Sequence, residues 1–518
     1  MKKIFFSTIA ISVLFLNISC ETDFDTDVND VVVTSGEADF SKYIALGNSL
    51  TAGYRDGALY SSGQAESYPS MLAGQMKLAG GGEFSQPLIP NDVGGFIGLP
   101  GFGGRYNLQL VDKKDYTGTV VSQSLSPVQA PAAATLDVIG GAGKYFSNMG
   151  VPGAKSFHLI TPGYGNVANL PIAAANPYFV RFATSPSTTV LADAMAQSPT
   201  FFSLWIGAND VLSYSTNGGT NSQTVGGVTT YTQATDQKDN PNPATYRSND
   251  ISDPALVAGA IKGVLDGLKS KGATKGVIAN IPYVTSIPYF TTVPYNPVPL
   301  AAASAATLNG NFAMINAALA NGGQPKRFAT LTASASNPVL IVDKSLADIS
   351  PLLPPQFAMY GQARHATAED LILLPASSVI GIDPTTGLPP APTSQTILGV
   401  TIPLADQLVL TKTEAAKVQV ATDAYNTAIK NLADSYGLAF VDANAKMKEL
   451  NSASGIQWDG VRYTSKFVTG GAFSLDGVHP TGRGYAIIAN EFLKAINVKY
   501  KSNLPIVDPN SYSGVKFP

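Results

Sequence analysis

The first stretch that could carry chemistry is a serine that follows a short apolar run. Residues 43–46 have the composition of a buried parallel strand, and Gly47 ends that run. Ser49 therefore lies in the turn at the carboxyl end of the predicted strand, where open α/β sheets bind ligands. Its hydroxyl could act as a nucleophile, or it could cap the next helix. A Gly-x-Ser tripeptide alone does not decide between these two interpretations.

A serine hydroxyl is almost fully protonated at neutral pH, so a serine nucleophile needs a general base. The sequence has three histidines, His158, His365 and His479. His479 is the best placed of them, because it precedes a predicted helix and follows Asp476 by three residues. We expect Asp476 to fix the tautomer of His479, although a turn histidine on the surface is the alternative. His158 is predicted to be a packed or capping residue, and His365 to be solvated.

Acyl transfer also requires hydrogen-bond donors aimed at the developing oxyanion. Gly153 ends a turn after the second predicted strand, and its backbone N–H could approach a substrate without obstruction by a side chain. Asn209 follows the third predicted strand, and its side-chain amide could be a further donor. Each residue has an ordinary alternative, which is turn geometry for Gly153 and an Asx turn or helix cap for Asn209.

The elements that must position these residues alternate between strands and helices. Apolar runs predict the strands, and amphipathic patterns predict the helices. The strands are predicted near 43–46, 144–155, 200–206, 276–281 and 438–441, and the helices over 66–78, 255–271, 307–319, 411–437 and 480–496. The fourth helix opens with a capping box from Thr411 to Glu414. This alternation predicts a parallel sheet with helices on both faces.

Long segments interrupt the predicted domain, which spans 40–500. They lie near 80–143, 215–250 and 330–405. We interpret the first as a loop, because its glycines lack the strand, helix and lysine of a phosphate cradle. The second is predicted to be an insertion or a disordered hairpin, and the third an elaboration that could form a lid or rim. The aromatic segment 283–300 could line an acyl pocket or pack on the surface, and the tail 501–518 is predicted to be peripheral.

The composition narrows the classes of function. The chain has 518 residues, of which 45% are hydrophobic and only 13% charged, so it can build a large core. Its formal net charge is −3 at pH 7. A nucleic-acid-binding protein would need a basic face, so no nucleic-acid partner is expected. No apolar run of membrane-spanning length follows the N-terminus, so no integral membrane span is expected.

The N-terminus predicts export and lipid attachment. Lys2 and Lys3 precede an apolar run that ends near Cys20, the only cysteine. This pattern predicts a signal peptide over 1–19, and it resembles a bacterial lipobox in which Cys20 becomes the lipidated first residue. Several acyl chains at one residue would anchor the protein stably in a membrane. The acidic segment 20–39 predicts a flexible tether. It resembles the export tags of some Gram-negative surface lipoproteins, which implies an outer-membrane protein that could face outward.

Four short blocks around the candidate residues resemble the GDSL lipase/esterase family, also called SGNH hydrolases. The blocks are Gly-Asn-Ser-Leu-Thr-Ala-Gly (47–53), Asn-Met-Gly-Val-Pro-Gly-Ala (148–154), Gly-Ala-Asn-Asp (207–210) and Asp-Gly-Val-His-Pro (476–480). One block alone is weak, but four in this order and context are specific. The resemblance covers about 40–210 and 410–500, without the insertions. The family usually has an aspartate where Asn48 stands, which is similar in shape but charged.

The resemblance implies ester hydrolysis through an acyl-enzyme intermediate. Ser49 would attack the ester carbonyl, His479 would take and return the proton, and Asp476 would orient His479. The backbone N–H groups of Ser49 and Gly153, with the Asn209 amide, would hold the oxyanion. No metal and no organic cofactor would be required. The implied fold is a flavodoxin-like three-layer α/β/α sandwich of about five parallel strands with long loop insertions.

The sequence leaves the substrate open. The partner would be an ester, which could be a lipid, an acylated small molecule or an acetylated glycan. A polysaccharide O-deacetylase would use the same chemistry. A surface lipoprotein that binds a ligand without turnover is an alternative of a different class, and it is favoured by the length of the insertions and by Asn48.

Overall fold

The computed structural model describes residues 32–391 and 394–518. The predicted signal peptide, Cys20 and the first part of the predicted tether lie outside the described residues. Within the described ranges, no helix is both long enough and apolar enough to cross a membrane.

The chain contains strands of two to ten residues and helices of four to 24 residues. The strands are β1 (Tyr43–Gly47), β2 (Tyr106–Lys114), β3 (Val120–Gln129), β4 (Asn148–Gly150), β5 (Phe201–Trp205), β6 (Thr220–Val225), β7 (Val228–Gln233), β8 (Lys275–Ala279), β9 (Leu340–Val342), β10 (Ala363–His365), β11 (Leu371–Ile372), β12 (Val409–Leu410), β13 (Ala439–Val441), β14 (Ile456–Trp458) and β15 (Val461–Tyr463). The helices are α1 (Ser49–Ala52), α2 (Ser61–Ala65), α3 (Tyr68–Lys77), α4 (Pro177–Phe182), α5 (Val190–Ala196), α6 (Asn209–Thr216), α7 (Pro254–Ser270), α8 (Pro288–Thr291), α9 (Ala302–Asn321), α10 (Lys412–Ser435), α11 (Ala443–Leu450) and α12 (Gly482–Tyr500).

The central sheet has five parallel strands in the order β13-β8-β5-β1-β4. Each of these strands overlaps one of the predicted segments, with β1 and β8 each extending one residue beyond it and β4 much shorter than its segment. Because β1 lies between β4 and β5, the turns that follow these three strands are neighbours. Those turns carry the candidate residues Gly153, Ser49 and Asn209, and parallel strands bring their carboxyl ends to one edge of the sheet.

Apolar side chains cover both faces of this sheet. Successive residues of a strand point to opposite faces. Ile44 and Leu46 of β1 belong to one apolar cluster, which α7 and α10 complete. Tyr43 and Ala45 belong to a second cluster, which α3 and α12 complete. The prediction of a parallel sheet with helices on both faces is therefore confirmed.

The helices α7 and α10 begin and end close to their predicted bounds and carry recognisable caps. In α10, the capping box between Thr411 and Glu414 is formed as expected, and Gly437 adopts a left-handed conformation after the last turn. In α7, the Asp253 side chain accepts a hydrogen bond from the Leu256 backbone N–H, and Pro254 occupies the first turn. α9 is longer than its predicted segment by several residues at its N-terminal end.

The first two insertions contain regular structure. In the segment near 80–143, β2 and β3 pair as an antiparallel hairpin, so the prediction of a loop throughout was wrong. The glycine-rich stretch 98–104 is irregular, as predicted. In the segment 215–250, β6 and β7 form a second antiparallel hairpin. Most residues of both hairpins are exposed, so neither hairpin has the buried apolar face of a core strand.

The third insertion, near 330–405, builds small cores of its own together with α9. His365 in β10 is buried there, with its ring edge-on to Phe312 at 4.9 Å and to Phe328 at 5.8 Å. The prediction that His365 is solvated was therefore wrong. The sequence signal misled because the adjacent Arg364 suggests a surface, whereas this arginine is itself buried and paired with Asp343.

The C-terminal tail, predicted to be peripheral, is packed into the structure. Leu504 and Val507 are buried in the second cluster. The Asn490 side chain of α12 exchanges two hydrogen bonds of 2.8 Å with the backbone of Val507. Arg55 donates a hydrogen bond of 2.8 Å to the Ser513 hydroxyl. A polar segment can be held in this way when buried amide and guanidinium groups satisfy its backbone and side chains.

Candidate active site

Ser49 is held in the turn after β1 by its neighbours. β1 ends at Gly47, where a Cβ atom would lie 2.4 Å from the carbonyl oxygen of Trp205, so only glycine fits. The Asn48 side chain accepts a hydrogen bond of 3.0 Å from the Leu50 backbone N–H and caps α1. Because Asn48 supplies the cap, the hydroxyl of Ser49 does not have to. Ser49 is 6% exposed and lies at the start of α1.

Two hydrogen bonds connect Ser49 to His479 and Asp476, which are more than 400 residues away in the chain. Nε2 of His479 lies 2.9 Å from Oγ of Ser49. Nδ1 of His479 lies 2.8 Å from Oδ2 of Asp476. The side chains of His479 and Asp476 are 13% and 10% exposed. The structure thus brings together the serine, the base and the carboxylate that the sequence singled out.

The carboxylate of Asp476 is surrounded by donors. Its Oδ1 accepts hydrogen bonds of 2.8 Å from the backbone N–H groups of Val478 and His479, and its Oδ2 accepts one of 2.9 Å from Gly57. Burial alone would raise the pKa of Asp476, but the His479 ring and these backbone bonds outweigh it and lower that pKa. An ionised Asp476 accepts a hydrogen bond from Nδ1–H of His479. In a neutral His479 the proton is then on Nδ1, so Nε2 presents its lone pair to the serine hydroxyl.

A second set of contacts fixes the loop that carries Asp476. The backbone N–H of Asp56 donates to the Ser474 hydroxyl at 2.9 Å, and Asp56 Oδ1 accepts from the Leu475 backbone at 3.0 Å. The Tyr54 ring lies 4.7 Å from the ring of His479. Sequence reasoning missed these positioning residues. They follow Ser49 closely in the chain, but nothing in their spacing shows that they meet residues 474–479.

Asn209 and Gly153 lie in the two neighbouring turns. Asn209 begins α6, is 6% exposed, and donates from Nδ2 to the carbonyl oxygen of Ala154 at 2.9 Å. That bond ties Asn209 to the turn that contains Gly153. Gly153 has φ of +82°, a left-handed conformation that favours glycine. Asn176 holds the same turn through a bond of 2.7 Å to the carbonyl oxygen of Pro152.

A largely apolar cavity opens beside Ser49, Asn209 and His479, which all line it. It contains about 1000 Å³ of space, part of it open to solvent. Its walls come mainly from α11, α12 and the segment after β8. In the predicted aromatic segment 283–300, Val284 and Ile287 line the cavity, whereas the tyrosines do not. No described residue of the third insertion lines this cavity.

The other two histidines occupy closed environments. His158 stacks on Tyr164 at 4.3 Å, and its Nδ1 accepts a hydrogen bond of 3.0 Å from the Lys155 backbone. Burial lowers the pKa of His158 to about 3. The Nδ1 of His365 accepts a bond of 2.9 Å from the Ala329 backbone, and burial lowers the pKa of His365 to about 4. His158 is therefore the packed and capping residue that the sequence predicts.

In residues 32–391 and 394–518, no cluster of histidine, cysteine, aspartate and glutamate side chains could hold a metal ion. A comparison with protein-family models finds none that matches this chain, and a comparison with curated proteins finds no significant match. What the site can do must therefore be read from its own geometry, in which a serine hydroxyl, a basic imidazole and a buried carboxylate are joined beside an apolar cavity.

Proposed function

We propose that this protein is a serine ester hydrolase of the GDSL or SGNH type, which cleaves carboxylic esters through an acyl-enzyme intermediate. The observation that carries the proposal is the pair of hydrogen bonds that joins Asp476, His479 and Ser49. A nucleophile in contact with a base that a third group orients is the arrangement that acyl transfer needs.

In the first step, Oγ of Ser49 attacks the ester carbonyl carbon while Nε2 of His479 takes the hydroxyl proton. The new bond joins Oγ to the carbonyl carbon, and the carbonyl electrons move onto its oxygen. Asp476 stabilises the imidazolium that forms, because its carboxylate is hydrogen-bonded to Nδ1. The tetrahedral species collapses when the bond to the alcohol oxygen breaks and His479 gives that oxygen the proton.

The oxyanion requires donors on the other side of the carbonyl carbon. A side-chain amide nitrogen has two hydrogens, and one from Asn209 is donated to Ala154. The second hydrogen can therefore serve the oxyanion without loss of the bond that orients Asn209. The backbone N–H groups of Ser49 and Gly153 are the further donors that we assign, because Ser49 follows β1 directly and the turn with Gly153 follows the neighbouring strand β4.

In the second step, water replaces the alcohol. His479 takes a proton from that water while the water oxygen bonds to the acyl carbon. The bond from that carbon to Oγ of Ser49 then breaks, and His479 returns the proton to Oγ, which frees the acid and restores the serine hydroxyl. No metal or organic cofactor enters either step. We further propose that the sheet belongs to a flavodoxin-like three-layer α/β/α sandwich, and that Cys20 anchors the protein in the outer membrane.

The test compares wild type with Ser49→Ala on p-nitrophenyl acetate. Loss of the nucleophile should lower kcat by roughly 10⁶-fold, as in other serine hydrolases that keep only their binding groups. Ser435→Ala is the matched control, because Ser435 is exposed near the end of α10. Equal rates for wild type and Ser49→Ala would overturn the assignment. Absence of any hydrolysis by the wild type would favour a binding protein instead.

A further inference from the structure

The cavity beside Ser49 runs between two helices that each present a stripe of residues to it. From α11, the lining residues are Ala443, Lys446, Met447 and Leu450. From α12, they are Gly484, Ile487, Ile488, Glu491 and Phe492. Both sets follow the spacing of three and four residues that marks one face of a helix. The cavity is therefore a groove that follows the helix axes rather than a shallow depression.

The length of the groove follows from the rise of a helix. Gly484 lies in the first turn of α12, close to His479 in the chain, and Glu491 lies seven residues further on. At 1.5 Å per residue this spans roughly 10 Å, which is the length of an extended acyl chain of about eight carbons.

The polar side chains of the lining fall into two groups. One group contains Asn48, Ser49, Asn209 and His479, around the proposed nucleophile. The other is the ion pair between Lys446 and Glu491, whose charged atoms lie 3.3 Å apart. This pair joins α11 to α12, and Glu491 lies about two turns along α12 from Gly484.

The stretch between these groups is made of aliphatic side chains such as Ile487, Met447 and Val284. A sugar in this stretch would lose hydrogen bonds to water and find no partners, which is unfavourable. A hydrocarbon chain would instead gain from burial in proportion to its length. The acyl group of an acyl-enzyme is covalently attached at Ser49, where the groove begins, so the part of the substrate that must fit is the acyl chain.

We propose that this groove binds the acyl chain of the substrate, and that the preferred substrates are esters of unbranched acids of about eight carbons rather than acetyl esters. The inference rests on the proposed function, because the chain enters the groove as part of the ester that Ser49 attacks. The Lys446–Glu491 pair limits the length of chain that fits, since a longer chain must displace two charged groups.

The first experiment measures kcat/KM for p-nitrophenyl esters from acetate to dodecanoate. We expect kcat/KM to rise by about fourfold per added CH₂ up to about eight carbons, and then to level off. In a second series, acetate esters of straight-chain alcohols from ethanol to octanol should show no comparable rise. A rise in the second series alone would overturn the assignment of the groove to the acyl chain.

A variant tests the groove itself. Ala443→Phe should fill the space between the helices and lower the ratio of octanoate to acetate kcat/KM at least tenfold. The matched control is Ala445→Phe, because Ala445 lies on the same helix but is exposed. The control should leave the ratio unchanged. Equal ratios for wild type and Ala443→Phe would overturn the inference.

A binding measurement separates this inference from the proposed function. Titration of octanoate into Ser49→Ala, and into Ser49→Ala with Ala443→Phe, needs no turnover, and binding should weaken at least tenfold in the second protein. If octanoate binds in this way but wild type hydrolyses no ester, the proposed function fails and the groove assignment stands. If acetate esters are hydrolysed through Ser49 but Ala443→Phe leaves the affinity for octanoate unchanged, the groove assignment fails and the proposed function stands.

Discussion

Two buried polar clusters in this molecule are built from similar groups but end differently. In the elaboration, the Arg364 guanidinium donates to Asp343 at 2.7 Å and to both oxygens of Asp370 at 2.6 and 2.7 Å. Asp370 is also bonded by the backbone of Lys412. We call this cluster closed, because the hydrogen bonds of its charged groups go to one another or to neighbouring groups of the protein. It therefore orders the insertion, and none of Arg364, Asp343 and Asp370 lines the cavity beside Ser49.

The cluster around Asp476 is open, because its hydrogen bonds lead to a side chain that lines a cavity. Asp476 is saturated by backbone donors, and it orients His479. His479 in turn contacts the Ser49 hydroxyl, which lines the cavity. The difference teaches that a buried carboxylate and its cationic or basic partner do not by themselves indicate function. The indication comes from a chain of hydrogen bonds that ends at a nucleophilic atom with space beside it.

The largest effect that would sharpen this comparison is expected from Asp476→Asn. The amide keeps the shape but favours the wrong tautomer of His479, so kcat on p-nitrophenyl acetate should fall by about 10⁴-fold. The melting temperature should change little, because most of the backbone bonds to residue 476 can still be accepted. A variant with wild-type kcat would show that Asp476 belongs to a structural cluster, like Asp370.

A change in the closed cluster around Arg364 should lower the stability of the protein and leave its activity unchanged. Arg364→Met leaves two buried carboxylates without their partner and should lower the free energy of unfolding by about 3–5 kcal/mol. Denaturant titration measures this loss, while kcat/KM per folded molecule should remain at the wild-type value. Lys430→Met is the control, because the exposed Lys430–Asp434 pair should contribute less than about 1 kcal/mol. A large loss of activity in folded Arg364→Met would contradict the separation of the two clusters.

Asn209→Ala tests whether the open cluster extends to the oxyanion donors. Removal of one such donor should lower kcat by roughly 10²–10³-fold. KM should change less, because the interaction forms mainly in the transition state. Asn431→Ala, at an exposed position of α10, is the control. If kcat were unchanged, Asn209 would serve only to hold the turn at Ala154.

The smallest expected effect is on the pH dependence of the free energy of unfolding, to which the two buried histidines, His158 and His365, contribute. The folded pKa of His365 is about 4, below its ordinary value of 6.5, so the unfolded state binds more protons between these two values. Stability should therefore rise as pH increases from about 4 to about 6.5. In denaturant titrations at pH 4.5 and 7, His365 should contribute about 2 kcal/mol to the loss of stability at the lower pH, and His365→Gln should remove that part of the loss. An equal loss in both proteins would place the acid sensitivity elsewhere.

Much of the sheet could be predicted from local patterns. β1 and β5 are continuous apolar runs because both of their faces are buried. α7 and α10 carry an apolar stripe and recognisable caps. The candidate residues could be found because Ser49, Gly153 and Asn209 each follow a predicted strand, and parallel strands end at one edge.

The remainder depends on contacts between distant segments. His365 looks solvated in the sequence, yet Phe312 and Phe328 enclose it from more than 30 residues away. Asp56 and Gly57 support the loop that carries Asp476 through backbone hydrogen bonds to Ser474 and Asp476, for which no sequence period exists. The cavity beside Ser49 likewise combines stripes of α11 and α12 with the segment after β8, and only the packed structure places them together.

The most direct test of the central claim is covalent labelling of the nucleophile. An alkyl fluorophosphonate reacts with a serine hydroxyl that a base activates, and mass spectrometry of the digested protein locates the adduct. We expect one adduct on the peptide that contains Ser49, and a strong decrease in its formation in His479→Ala. An unlabelled Ser49 in a protein that hydrolyses esters, or an adduct on another serine, would contradict the proposed catalytic centre.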